Sequence, residues 1–222
     1  MEEDYILRKI LRAFRDYQKE KYKTMYDVNT FHVHELVACK FKSELVREIP
    51  ELSTPLNPPI FIGEGIDNLM KELFEKDSEL QSLTVTTEGV YEKSINVDGV
   101  EIKIVGKPDI VLKDIIIEVK YTQFADDLPR DHHIKQLKLY LFLTGYKKGK
   151  LVYVTNRGFK EYSIEEPFTE QELVEYIKNW SSPRYEWECT YCNYKQICPH
   201  YRNNMGAQGK SVENGESDED ED

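Results

Sequence analysis

The 222-residue chain has no apolar run approaching the ~18 residues of a membrane-spanning helix, so a transmembrane helix is excluded. Its opening residues are acidic and then of mixed charge. They lack the basic-then-apolar order of a secretory signal, so export is not expected and a cytoplasmic location is. There are only four cysteines, and in a chain read as intracellular they do not read as structural disulfides. No internal repeat is visible. Positive charge is also short, with 30 Lys and Arg against 41 Asp and Glu and a net charge of −11, which at face value argues against a nucleic-acid partner. What is present, 40% hydrophobic and 32% charged residues, suits one globular domain with a full core, or one domain and a small appendage.

The charge is unevenly placed. Residues 204–222 hold seven acids against the single Lys210, which accounts for six of the eleven net negative charges. This segment has almost no apolar residue and reads as a disordered tail, either solubilising or competing with DNA for a basic groove. Elsewhere Lys107, Lys120, Arg130, Lys135 and Lys138 gather in one stretch of sequence, so the net charge does not exclude DNA.

Apolar spacing predicts helices over 2–21, 34–46 and 64–74, with a proline-rich loop over 49–59 between the last two. Strands are expected over 83–95, 100–105, 109–112 and 115–121, with Asp98-Gly99 as a hairpin turn. An amphipathic helix over 131–144, a strand over 151–155, a helix over 169–180 and a Cys-rich segment over 188–200 complete the pattern. Helices, an antiparallel meander, then helix and strand make a mixed α/β domain with a mixed sheet. Its expected extent is 1–203, with a helical part over 1–80, a core over 81–180 and a closing segment over 181–203.

The stretch from Gly106 to Lys120 carries the chemistry. If Lys113-Asp114 is a two-residue turn, Ile110 faces Ile117 and Asp109 faces Glu118, with Lys120 on the same face as Glu118. Two opposed carboxylates repel. A divalent cation between them offsets the repulsion, and hard oxygen ligands suit Mg²⁺ or Mn²⁺. A lysine beside such a pair can position a water, which suits phosphodiester hydrolysis. On residue types alone an ordinary solvated hairpin edge is the commoner reading, but the Ile-rich flanks point to a central strand with charges at its end.

Cys189 and Cys192 form a C-x₂-C pair, Cys198 follows, and Cys39 lies about 150 positions upstream. Four thiolates suit an iron–sulfur cluster or zinc. The rival set of Cys189, Cys192, Cys198 and His200 suits zinc and leaves Cys39 as a small buried residue on a helix.

Pro108-Asp109 followed by Glu118-Val119-Lys120 resembles the PD-(D/E)XK nuclease motif, and the run from Gln136 to Tyr140 resembles the QxxxY motif of its RecB-like branch. On a helix Gln136 and Tyr140 lie one turn apart on one face, with His133 beside them. One distant cysteine plus three C-terminal ones around such a core resembles the iron–sulfur nucleases, above all the CRISPR-associated RecB-like exonucleases of the spacer-acquisition module. The resemblance spans roughly residues 34–199. It implies a restriction-endonuclease-like core, with N-terminal helices and a C-terminal Cys-rich segment that closes on Cys39 through a [4Fe–4S] cluster. It implies a Mg²⁺- or Mn²⁺-dependent deoxyribonuclease, chiefly a single-strand exonuclease with some endonuclease cleavage, which trims DNA before spacer integration. The CRISPR integrase complex is its implied partner. Asp109 and Glu118 would be metal ligands, Lys120 would orient and activate the attacking water, and Gln136 and Tyr140 would shape the site and touch substrate. The family pattern places a histidine ligand on an early helix after a glycine. Here Asp67 stands at that point, with Glu64 as a competing candidate. This departure leaves open an impaired DNA-binding or assembly subunit of the same fold. A stand-alone viral recombination or repair nuclease, acting in the host-cell cytoplasm, is also left open.

Overall fold

A computed structural model of the chain describes residues 3–21, 28–49, 52–53 and 58–201. The acidic tail expected over 204–222 and most of the loop expected over 49–59 lie outside the described residues. No helix among the described residues is long and apolar enough to cross a membrane.

The chain runs α1 (Glu3–Lys21), β1 (Thr30–His32), α2 (Val33–Leu36), α3 (Lys40–Glu48), α4 (Pro58–Lys76), α5 (Ser78–Leu83), β2 (Thr84–Thr86), β3 (Tyr91–Val97) and β4 (Val100–Gly106). It continues with β5 (Ile110–Leu112), β6 (Ile116–Thr122), α6 (Asp131–Thr144), β7 (Gly149–Thr155), β8 (Gly158–Ile164) and α7 (Glu170–Lys178). A 3₁₀ turn over Glu186–Cys189 follows. Two sheets form. One has the order β1-β4-β3, and the other β2-β5-β6-β7-β8 with β6 at its centre. Each is mixed: β1 pairs parallel with β4, β6 pairs parallel with β7, and the other pairings are antiparallel.

Local chemistry sets several boundaries. Asp98 and Gly99 both take positive φ, 51° and 86°, as a two-residue hairpin turn between β3 and β4 requires. Thr169 caps α7 reciprocally with Glu172, and Gly145 ends α6 in the left-handed conformation at φ 79°. Pro58 and Pro59 occupy the first turn of α4, where a missing N–H costs nothing, so this helix starts six residues before the periodicity suggests.

Other expectations need correction. The helix expected over 34–46 is two helices broken at Val37–Cys39, and Cys39 is the N-cap of α3 instead of a mid-helix residue. The strand expected over 83–95 is β2 and β3 in different sheets. The turn between them contains Gly89, where a Cβ would come within 2.6 Å of the Thr86 methyl. The continuous meander is therefore split. β1 and β8 have no counterpart in the pattern of apolar spacing, being short or mostly exposed.

α6 departs from its expected one-faced pattern. Every residue from Gln136 to Leu143 except Lys138 is buried, because the helix packs against β3 and β4 on one side and β6, β7 and β8 on the other. Two glycines allow the close approach. A Cβ on Gly149 would sit 2.8 Å from Leu137, and one on Gly106 would sit 2.7 Å from Leu143. Leu137 has no room to yield, since it is itself fully buried. Gly149→Ala is therefore expected to cost about 1–3 kcal/mol, read as a lower urea midpoint at unchanged slope; an unshifted midpoint would show that β7 and α6 can separate.

Candidate active site

The five-stranded sheet brings the carboxylates together. Ile110 pairs with Ile117 and Val111 with Ile116, the register expected from a turn at Lys113-Asp114, and Leu112 N–H closes the turn on Ile115 C=O at 2.9 Å. Asp109 lies one residue before β5. Its Oδ2 accepts the Val119 N–H at 2.8 Å, so the side chain continues the pairing where the backbone ladder stops. Glu118, in the central strand β6, is 1% exposed, and Lys120 donates to its Oε1.

α4 packs on β6 and sets Glu64 and Asp67 over the strand ends. These two, with Asp109, Glu118, Lys120 and the Gln136–Tyr140 pair, line one cavity of about 320 Å³. Gln136 Nε2 donates to the Tyr140 hydroxyl at 3.1 Å, which ties the pair together across one helical turn. His133 goes elsewhere: its Nδ1 meets the Tyr153 hydroxyl at 2.8 Å. Of the basic residues clustered in sequence, Lys120 lines this cavity. Lys107 pairs with Glu88, Lys135 with Asp131 at 2.6 Å, and Lys138 lies over the Phe168 ring.

Burial, then the Glu118 charge, pushes the Asp109 carboxyl well above the ordinary carboxylate range. Burial also opposes the charge on Lys120, but Glu118 and Asp109 together outweigh it and hold the ammonium above its usual value. Burial and the same two carboxylates raise the Tyr140 hydroxyl, which remains a protonated donor. Burial, then the Lys120 charge, lowers His133.

Lys71, one turn after Asp67, donates to its Oδ2 at 2.9 Å. Burial works against this ammonium, but the bond to Asp67 and the surrounding carboxylates hold it charged. Four carboxylates thus meet the Lys120 ammonium in one open cavity, with Lys71 paired to Asp67 beside it. Asp67 Oδ1 and Glu118 Oε2 are buried with no hydrogen-bond partner. Buried acceptors of this kind are costly unless something is bound to them. Hard carboxylate oxygens with spare lone pairs and excess negative charge fit a divalent cation. As placed among the described residues, no group of three or more His, Cys, Asp or Glu side chains is gathered closely enough to hold a metal ion.

A second constellation forms where the C-terminal segment meets α3. Cys39, Cys189, Cys192 and Cys198 line one small cavity of about 20 Å³ together with His200. All four are free thiols, and Cys39 and Cys198 are buried. Burial raises the Cys189 thiol first, and then the other three cysteines do. Four soft donors around one cavity fit a thiolate-bound centre; His200 keeps the three-cysteine zinc set within reach as well. The docking is tight: Cys39 N–H donates to Glu188 Oε1, Lys40 N–H to Ser181 C=O, Phe41 N–H to Ser182 Oγ and the Tyr194 hydroxyl to Ile49 C=O, all within 3.0 Å.

No protein-family model matches the chain. Over 211 residues it is 32% identical to the CRISPR-associated exonuclease Cas4 of Saccharolobus solfataricus, an alignment that covers 88% of this chain and 96% of that protein. The chain belongs to the Cas4 family. The crystal structure of SSO0001 superposes with a TM-score of 0.75 at 31% identity, covering 90% of this chain and 96% of that one. The alkaline exonuclease LHK-Exo from Laribacter hongkongensis gives a TM-score of 0.46 at 13% identity, covering 83% and 96%. The mixed α/β, restriction-endonuclease-like class expected from the sequence is the Cas4-family fold seen here.

In this Cas4-family chain the residues expected as metal ligands, water-activating group, substrate contacts and cluster ligands each line one of the two cavities, whereas His133, Lys107, Lys135 and Lys138 lie outside both. Two further participants escape a reading of the sequence. Lys71 is legible there only as a lysine four positions after Asp67. Glu188 carries a stronger signal: a glutamate directly before Cys189 that is buried and accepts N–H groups from Cys39, Arg184 and Tyr185.

Proposed function

We propose that the chain is a divalent-cation-dependent deoxyribonuclease that degrades single-stranded DNA from its ends, with some internal cleavage. The observation that carries this reading is the pair of unpartnered buried oxygens, Asp67 Oδ1 and Glu118 Oε2, facing Asp109 and Lys120 in one cavity. Asp109, Glu118 and Asp67 would hold Mg²⁺ or Mn²⁺. When bound, such an ion supplies Lewis-acid polarisation of the scissile phosphate and the attacking water. Lys120, held as an ammonium by Glu118 and Asp109, donates hydrogen bonds instead of accepting a proton. It orients the water and balances the charge that grows on the phosphoryl oxygens. The Tyr140 hydroxyl, positioned by Gln136, is a second donor toward substrate. Water adds to phosphorus and loses a proton to solvent, the ester P–O bond breaks, and the leaving oxygen takes a proton back from solvent.

The role we assign in the cell is trimming of DNA ends before spacer integration, beside the CRISPR integrase complex. The four cysteines hold a [4Fe–4S] cluster in this reading. A brown protein with broad absorbance near ~400 nm supports it, and a colourless protein with stoichiometric zinc overturns it.

The test is cleavage of end-labelled single-stranded DNA in Mn²⁺ by anaerobically prepared wild type and by Asp109→Ala. Cleavage by the first alone is expected. No cleavage by either would favour the DNA-binding subunit, the reading motivated by Asp67 at the family's histidine position. If Asp67 is a ligand, Asp67→Asn should raise the half-saturating Mn²⁺ concentration by about 10–100-fold. An unchanged metal requirement would hand the role to Glu64.

A further inference from the structure

Beside the carboxylate cavity lies a larger groove of about 680 Å³, and the two share Pro59 and Tyr121 in their walls. One wall is the loop after β6, which carries Phe124 and Arg130. The other is built by the C-terminal segment, from Tyr185, Trp187 and Tyr191. His132, at the start of α6, closes the floor between them. Three of the rings, His132, Tyr185 and Trp187, are ordered against one another. Tyr185 and Trp187 lie nearly parallel, 19° apart with centroids at 6.0 Å, and His132 sits 5.1 Å from Trp187 and 5.7 Å from Tyr185. The Tyr185 hydroxyl is pinned to Asp131 Oδ2 at 2.9 Å, and the Arg130 guanidinium to Thr122 Oγ1 at 2.9 Å.

Large side chains normally bury their faces, yet Tyr191 is 75% exposed, Phe124 66% and Trp187 48%. Their packing role is slight. Arg130 lies among these exposed rings, and of the two carboxylates that also line the groove Asp131 is already held by the Tyr185 hydroxyl and Lys135 while Asp127 lies on the loop after β6. Flat, exposed rings beside a guanidinium match the faces of unpaired bases and the phosphates between them. A duplex hides those faces, so such a surface selects single strands.

We infer that this groove is a stacking shelf for the bases of a single DNA strand, laid so that the strand's next phosphate reaches the carboxylate cavity. The inference rests on the nuclease reading of that cavity and deepens it by naming what holds the substrate. The strand crosses the shelf with bases on Trp187, Tyr191 and Phe124, while Arg130 faces its backbone. The shelf would account for a single-strand preference without base-specific contacts.

The chain has two tryptophans, and they separate cleanly. Trp180 donates to Ala38 C=O at 2.7 Å and packs edge-on against Phe31, whereas Trp187 is in the groove. Oligothymidylate titrated into the full-length, metal-loaded protein, with Ca²⁺ replacing Mn²⁺ to suppress cleavage, is expected to quench tryptophan emission. A blunt duplex of equal length is expected not to. The quench should vanish in Trp187→Phe. Trp187→Ala and Tyr191→Ala should each weaken single-strand binding by roughly tenfold or more. Unchanged melting and metal content would show these variants folded, and the exposed Tyr191 keeps the test open if Trp187→Ala does not fold. Equal quenching by duplex, or wild-type affinity in both alanine variants, overturns the shelf and assigns the groove to some other partner. Those results would leave Mn²⁺-dependent cleavage by wild type intact. A single-strand-specific quench without any cleavage would instead keep the shelf and remove the nuclease reading.

Discussion

Asp109→Asn is expected to lower DNA cleavage by at least about 10³-fold, the loss of roughly 4 kcal/mol of transition-state stabilisation, and to make the metal-free protein more stable. The two effects share one cause. Asp109 is held against Glu118 by its bond to the Val119 N–H, in a place where burial and the neighbouring charge both favour a protonated carboxyl. Without a cation, the native chain binds that proton more tightly than the unfolded chain does. The associated stability is complete below the ordinary carboxylate range and is lost as pH rises through the elevated native value. As pH rises above the ordinary carboxylate range, Asp109 therefore works increasingly against folding. Asparagine still accepts the Val119 N–H and carries no charge. A gain of about 1–2 kcal/mol, or about 3–8 °C in melting temperature, is expected in EDTA at pH 7. The difference should narrow at pH 4, where wild-type Asp109 is protonated. Calorimetry at both pH values decides it: a variant no more stable than wild type at pH 7 would mean that Asp109 is not under strain. Active sites commonly store cost in this way, since a cluster of like charges is useful only when its cation is present.

Cys39→Ser is expected to have the largest effect on stability. Cys39 lines the same cavity as Cys189, Cys192 and Cys198, about 150 positions away. A centre bound by all four closes that long loop and restricts the unfolded chain. The chain-entropy model puts the restriction at about 5 kcal/mol for a loop of this length. For a domain of this size, loss of the link should lower melting by roughly 10–20 °C, together with loss of bound metal and of absorbance near ~400 nm. The hydrogen bonds from Cys39, Lys40 and Phe41 to the C-terminal segment remain, so the variant should still fold at low temperature. Wild-type melting with full metal content in Cys39→Ser would assign the centre to Cys189, Cys192, Cys198 and His200. A change of that kind should also reach DNA binding, because Trp187 and Tyr191 belong to the same segment as the cysteines.

Much of the carboxylate site is legible in the order of residues alone. A tight turn at Lys113-Asp114 sets register by counting, and counting brings Asp109 opposite Glu118 and Lys120 onto the same face. The i, i+4 spacing of Gln136 and Tyr140 predicts a shared helical face just as directly. Both features follow from periods of 2 and 3.6 within a single hairpin or helix. Spacing misleads at breaks. Periodicity continues across Val37–Cys39 and across Thr87–Val90, but the chain turns at both. Nothing local announces that β2 and β3 join different sheets, or that α6 is buried on two sides. Its two-sided burial follows from Gly149 and Gly106, which lie in strands on either side of it.

The sequence by itself points to a mixed α/β chain, the carboxylate hairpin, the glutamine–tyrosine pair and the cluster of three C-terminal cysteines with either Cys39 or His200, because each core pattern is a short run of residue types at fixed spacing. Tertiary structure decides what those patterns meet. It brings Asp67 and Glu64 from α4 over β6. It folds the C-terminal segment back so that Cys39 joins the other cysteines and Trp187 lines the groove beside the carboxylates. Those contacts join residues roughly 50 to 150 positions apart. They form only when the summed burial of a core outweighs the entropy of closing such loops, a condition that no local spacing encodes.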